Sequence, residues 1–350
     1  MVPERTLDDA RATLLWLLAI GLCLSLPACQ RHPLTGDPHN RSHEAPALVN
    51  HLVTQIRSAE RDSARAALAT EPSPLPREIT RSYLRSLDEE ADTIRRQLRR
   101  RITSEQTFAA LNLQFFGPAG FTASSDLSGP EGVSVAAALD SRRGTCVGLA
   151  IVYLALAQRL GLDAHAVATP DHLFVRVHLG NTVRNVELTE FGREVDDDTY
   201  RRRYKIEEAS IAAGVFMRKL SNAEVIAHLL SNQAVALGKQ GKLDDALARY
   251  DAALTLAPQL VAVWYNRGLD LLNAGRLQEA LEDFSRAIEL YPSDAQAHNN
   301  RGLTKLKLGD REGAEADVTR ALELQPGMKE AQQNLKRLKE GAPTDSLESP

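Results

Sequence analysis

A cysteine, a histidine and a carboxylate stand in an order that suits acyl transfer. Cys146 follows Thr145 at the head of VGLAIVYLALAQRLGL, a run apolar nearly all round, without Gly or Pro between Leu149 and Leu160. Such a run predicts a buried helix, with Thr145 as its N-cap and Cys146 in its first turn. A helix N-terminus favours thiolate over thiol. His172 opens an alternating segment, HLFVRVHL, and NVELTEFG places Glu187 on the segment after it. A histidine that holds and deprotonates a thiol, with a carboxylate fixing the imidazole tautomer, is the constellation of nucleophilic amide chemistry.

Three β-like segments are expected to position these groups: 164–169, 172–179 and 182–188, the last two joined by Gly180-Asn181, a two-residue hairpin signal. Alternation puts His172, Phe174, Arg176 and His178 on one face and Leu173, Val175, Val177 and Leu179 on the other. Asn185 and Glu187 share a face of the following strand. His172 and His178 would stand about 20 Å apart along a strand, too far for one metal ion. The chain has no HExxH, CxxC, phosphate loop or GxSxG. No metal or other cofactor is expected.

With those residues in view, LNLQFFGPAGF (111–121), LDSRRGTCVGLAIVYLALAQRLGL (139–162), PDHLFVRV (170–177) and NVELTEFG (185–192) together resemble the transglutaminase-like superfamily, most closely its SirB-type branch. The resemblance implies an α+β core of the papain-like cysteine peptidase type. Carried over, it makes Cys146 the nucleophile, His172 the general base and Glu187 the orienting acid. It also implies a helical lead-in packed on the core, and residues 47–103 read as helical with a break at EPSPLP (71–76).

The C-terminal third repeats at 34 residues. Ala246, Ala280 and Ala314 fall in register, as do Pro258, Pro292 and Pro326, and the turn glycines Gly241, Gly275 and Gly309. The pattern resembles the tetratricopeptide repeat, an all-α solenoid in which each helix pair buries its apolar face against its neighbours. The polar amphipathic segment 328–340 suits a cap. The resemblance implies a protein or peptide partner in the groove, and Asn232, Asn266 and Asn300, also 34 apart, are candidate contacts to it.

Residues 14–26 (LLWLLAIGLCLSL) form a thirteen-residue apolar run, the length of a signal-peptide core. It ends in Leu26-Pro27-Ala28-Cys29, which resembles the bacterial lipoprotein cleavage box. That implies lipidation at Cys29 and a membrane-tethered location in the cell envelope. Cys146 is then the one free thiol in an oxidising compartment.

The expected organisation is a signal peptide at 1–28 and a tether at 29–46. A helical lead-in and transglutaminase-like domain follow at 47–205 (core 104–205), and a connecting helix at 206–226. Three repeats and a cap occupy 227–340, ahead of a disordered tail at 341–350. The charge of −4 excludes nucleic-acid binding driven by overall charge, and the single apolar run excludes a polytopic membrane protein. These features predict an exported, lipid-anchored cysteine hydrolase or acyltransferase with a protein-binding repeat domain. The alternative is a non-catalytic envelope scaffold whose repeats carry the function.

Overall fold

The computed structural model describes residues 49–50, 53–56, 62–72, 74–98, 102–124 and 133–340. The signal segment, Cys29, the tether and the C-terminal tail lie outside the described residues.

The lead-in consists of α1 (Ser63–Leu68), α2 (Arg77–Gln97) and α3 (Ser104–Phe116). Helix α2 begins directly after Pro76, where the prolines of EPSPLP end. It buries Leu84, Leu87, Ala91 and Ile94, one face of a 3.6-residue period. Its charged side chains pair locally or with the next layer: Arg95 pairs with Asp92, Asp88 reaches Arg159, and the largely buried Glu90 reaches Arg142. Helix α3 starts in a capping box between Thr103 and Gln106.

Strands β1 (Thr122–Ala123) and β2 (Arg143–Gly144) form a short parallel pair around α4 (Val135–Ser141). Helix α5 (Cys146–Arg159) follows and buries every residue from Val147 to Ala157. It is the axis of the domain, because a helix apolar on all sides must be covered on all sides.

The antiparallel sheet runs in the order β3 (Asp163–Ala168), β4 (Leu173–Leu179), β5 (Thr182–Glu187) and β6 (Arg193–Glu194). Leu173, Val175, Val177 and Leu179 of β4 join the core around α5. Phe174, on the opposite face, lies in a second core with Tyr200 and Phe216. Tyr200 belongs to α6 (Asp197–Tyr204), which Asp196 caps.

The connecting helix expected over 206–226 is not formed. That stretch holds the short α7 (Glu208–Ala212), then a run of bends in which Gly214 and Met217 take positive φ, and from Asn222 the start of the first repeat helix. The Met217 and Leu220 amides then donate to the Ala168 and Ala166 carbonyls. The free edge of β3 offered unpaired carbonyls, and pairing them outweighs a helix broken by glycine.

The repeats pair α8 (Asn222–Lys239) with α9 (Leu243–Leu256), α10 (Val261–Asn273) with α11 (Leu277–Leu290), and α12 (Ala295–Lys307) with α13 (Arg311–Leu324); α14 (Lys329–Lys339) closes the array. The 34-residue signature has direct physical causes. A Cβ on Gly302 would sit 2.9 Å from Val318 and 3.0 Å from the Ala314 carbonyl, so the paired helices touch through a hydrogen. The carbonyls of Pro258, Pro292 and Pro326 meet Trp264 Nε1, His298 Nε2 and Gln332 Nε2 at 2.9, 3.1 and 2.8 Å. Arg267 grips Asp283, and Arg301 grips Asp317, in matching two-pronged pairs at 2.7–2.8 Å.

Candidate active site

Thr145 Oγ1 accepts from the Gly148 amide at 3.3 Å, which fixes Cys146 as the first residue of α5. Its thiol is half-buried and free. The Cys146 backbone N–H lies in the first turn, where amides have no intrahelical acceptor.

His172 lies one residue before β4, at the end of the two-residue Pro170-Asp171 turn that joins β3 to β4. The Thr169 amide donates to the His172 carbonyl at 2.9 Å and closes that turn. The register of β4 on β5 pairs Val175 with Val186 and Arg176 with Asn185. Glu187 is therefore opposite Phe174, and His172 lies diagonally beyond it on the same face, within reach of a long side chain. The imidazole Nε2 lies 2.9 and 2.8 Å from the two Glu187 oxygens. Cys146 lies beside the ring, in the same cleft, and contributes to the raised pKa of His172.

The electrostatics follow from these contacts. Burial alone would lower the His172 pKa, but Cys146 and Glu187 beside the ring outweigh it and raise it to about 9. Glu187 is completely buried. Burial alone would raise its pKa, but bonds from His172 and from Thr189 hold it at about 2. An ionised carboxylate only accepts, so Nε2 is the donor and Nδ1 is the nitrogen left for the thiol.

The carboxylate is held from three directions. The Thr189 amide and hydroxyl donate to Oε1 at 3.0 and 2.6 Å, and the Tyr200 hydroxyl donates to Oε2 at 3.0 Å. Gly192, with φ of +75°, closes the turn behind it by donating to the Glu187 carbonyl at 2.9 Å. A Cβ there would lie 2.4 Å from the Phe116 ring, which accounts for the glycine that ends NVELTEFG. Two aromatic rings complete the support. Tyr200 stacks on Phe174 with centroids 4.0 Å apart, and Tyr204, one turn later, stacks on His172 at 5.8 Å.

The structure thus brings Cys146, His172 and Glu187 together. Asn185 is not part of this group: it accepts from Arg176 and donates to the Val195 carbonyl and Asp197, which ties β5 to α6. Thr189, Tyr200 and Tyr204 escaped the sequence reading. The signal for the tyrosines was their spacing of four on a helix, which places them on one face.

A cleft of about 400 Å³ opens beside Cys146 and His172, and residues of the repeats, including Asn232 and Asn266, line it too. Asn300 does not. It is fully buried and donates to the Tyr265 hydroxyl at 3.0 Å, so it presents nothing to a ligand. At this third position the asparagine packs helices. Among the described residues no group of three or more His, Cys, Asp or Glu side chains could hold a metal ion.

This fold and site define a transglutaminase-like domain joined to a helical repeat array. Residues 81–231 match the family model of the transglutaminase-like superfamily. Residues 231–295 and 265–329 match that of the tetratricopeptide repeat. The chain therefore carries a transglutaminase-like domain followed by tetratricopeptide repeats. No protein in a search of curated proteins matches it.

Among solved structures, the first repeat domain of Spaghetti (RPAP3), bound to the HSP90 peptide SRMEEVD, is 28% identical. The match covers 33% of this chain and 91% of that one, with a TM-score of 0.32. The Arabidopsis OM64 repeat domain is 24% identical over 34% and 98% of the two chains, with a TM-score of 0.33.

Proposed function

We propose that this protein is a cysteine-dependent hydrolase or acyltransferase acting on an amide carbonyl, exported and lipid-anchored at Cys29, with repeats that bind a protein. The observation that carries the chemistry is His172 hydrogen-bonded to a buried, three-way-held Glu187, with Cys146 beside the ring in the same cleft.

In the forward step the thiol proton already resides on His172, whose raised pKa keeps the ring an imidazolium at neutral pH, and Cys146 Sγ attacks the carbonyl carbon. The Cys146 backbone N–H, in the first turn of α5, serves as a donor to the developing oxyanion. The imidazolium then passes its proton to the leaving nitrogen, the C–N bond breaks, and a thioester remains on Cys146. Water or a primary amine gives a proton to His172 and attacks that thioester, which releases acid or new amide and the thiolate. Glu187 stays ionised throughout and stabilises the imidazolium. An inert spacer has no need of a carboxylate buried solely against one histidine, one threonine and one tyrosine.

The test uses the purified full-length chain with dimethylcasein and dansylcadaverine. Fluorescence entering casein reports transfer; cleavage or deamidation of casein reports hydrolysis. Either activity should vanish in Cys146→Ser. Activity retained by Cys146→Ser would contradict the assignment.

A further inference from the structure

The walls of the catalytic cleft come from two domains. Cys146, His172 and the Pro170-Asp171 turn form one side; Asn232, Tyr265 and Asp294 of the repeats stand on the other. The two sides are locked together. Arg249 of α9 donates to the Thr70 carbonyl at 2.6 Å and to Gln233 at 2.8 Å, tying the lead-in to the first repeat. One apolar core also runs from α5 into α8 and α9. The repeats are therefore a fixed wall of the cleft.

That wall carries unbalanced charge. Asp171, Glu207 and Asp294 line the cleft against Lys205. Among the described residues, neither Asp171 nor Asp294 forms an ion pair with any cation. Burial raises the pKa of Asp294, and the charge of Asp171 raises it further. Both groups would be relieved by a cation between them. An independent feature points the same way. His228 lines the same cleft, and its Nε2 is buried there without a hydrogen-bond partner. Burial lowers its pKa to about 4, so the ring is neutral. A buried ring nitrogen with no partner marks a place where an incoming polar group is accommodated.

We propose that the repeats supply half of the substrate site: an extended polypeptide lies along Asn232, Tyr265 and Asn266, sets a lysine or arginine side chain between Asp171 and Asp294, and presents its neighbouring acyl carbon to Cys146. This rests on the cysteine-enzyme reading above and assigns it a substrate class, polypeptide segments with a basic residue next to the reacting carbonyl. The one recognition event then serves both domains.

The test compares two affinity labels on the full-length chain, tosyl-lysine and tosyl-phenylalanine chloromethyl ketone. In each the Cys146 sulfur displaces chloride, a C–S bond forms, and the thiol proton leaves through His172 to solvent. Peptide mapping by mass spectrometry confines the readout to Cys146. The lysyl label should react about 10-fold faster than the phenylalanyl one at low salt, with the ratio falling as salt is raised.

Asp171→Asn with Asp294→Asn should bring the ratio near one. Asparagine is also a good N-cap, so α12 keeps the cap that Asp294 gives the Ala297 amide. Asp171→Lys, in an exposed turn, should bring the ratio below one. Equal rates in the unaltered protein, or a ratio indifferent to these substitutions, would overturn the proposal. Iodoacetamide, small and uncharged, separates the two readings. If its rate at Cys146 does not depend on His172, the enzyme reading fails, while the lysyl-to-phenylalanyl ratio still reports on the cleft.

Discussion

The two halves of this chain use charge in opposite ways. In the repeats Asp317 is nearly buried, and burial is outweighed by His298 at 3.5 Å, Arg301 at 2.7 Å and Lys305 at 2.8 Å, so its pKa is held far down and its charge is consumed by two permanent cations. In the transglutaminase-like domain Glu187 is wholly buried against a histidine, whose proton can move. The first arrangement is a clamp. The second leaves the imidazole a second nitrogen, and the Cys146 thiol lies in the same cleft beside the ring. Burial and a short ion pair are common to both, so neither feature marks a catalytic site. What separates them is whether the partner can give up a proton and what lies on its other side.

That contrast can be broken by mutation, starting with the largest effect. His172→Ala should slow Cys146 acyl transfer by about 10²-fold or more, the usual contribution of a positioned general base. Unfolding curves of the variant distinguish this from loss of structure. Asp317→Ala should instead cost about 3 kcal/mol of stability by leaving two cations without their buried partner. A lower denaturation midpoint, with Cys146 chemistry retained in the folded protein, is the expected result.

The pH dependence of stability is intermediate in size and has a definite sign. The raised His172 pKa contributes stability that is complete below about 6.5 and is lost as pH rises through about 9. The lowered Glu187 pKa contributes stability that is complete above about 4.5 and is lost as pH falls toward about 2. The stability gap between the unaltered protein and Glu187→Gln should therefore be widest between pH 4.5 and 6.5 and narrow on both sides. A gap that widened toward pH 9 would contradict the pairing.

Tyr200→Phe is the smallest change. It removes one of three supports of the carboxylate, and about 1 kcal/mol or a several-fold loss of rate is expected. Chemical denaturation and the acyl-transfer rate measure the two.

The repeats were legible because each signature residue answers a local contact that recurs every 34 positions, such as Gly302 against Val318. The grouping of Cys146, His172 and Glu187 was legible through element type and order: an N-cap before Cys146, and a hairpin that brings His172 and Glu187 to one face. What stayed hidden depends on contacts distant in sequence. The segment after α7 bends to meet the free edge of β3, which nothing within 206–226 announces. Asn300 repeats at 34 like Asn232 and Asn266, yet only the last two reach the cleft, because its burial depends on Tyr265 of the neighbouring repeat. The shared cleft itself has no sequence signal, since it depends on long-range contacts: the seam at Arg249 and Thr70 and the apolar core that joins α5 to α8 and α9.

The central claim is that His172, held by Glu187, activates Cys146. The most direct measurement is the alkylation rate of Cys146 by iodoacetamide at neutral pH in the folded full-length chain, followed by peptide mapping so that Cys23 and Cys29 do not contribute. The account predicts fast alkylation that falls at least tenfold in His172→Ala and by a smaller factor in Glu187→Gln. Slow alkylation when folded that becomes normal in urea, with no response to either substitution, would mean an inert structural thiol and would contradict it.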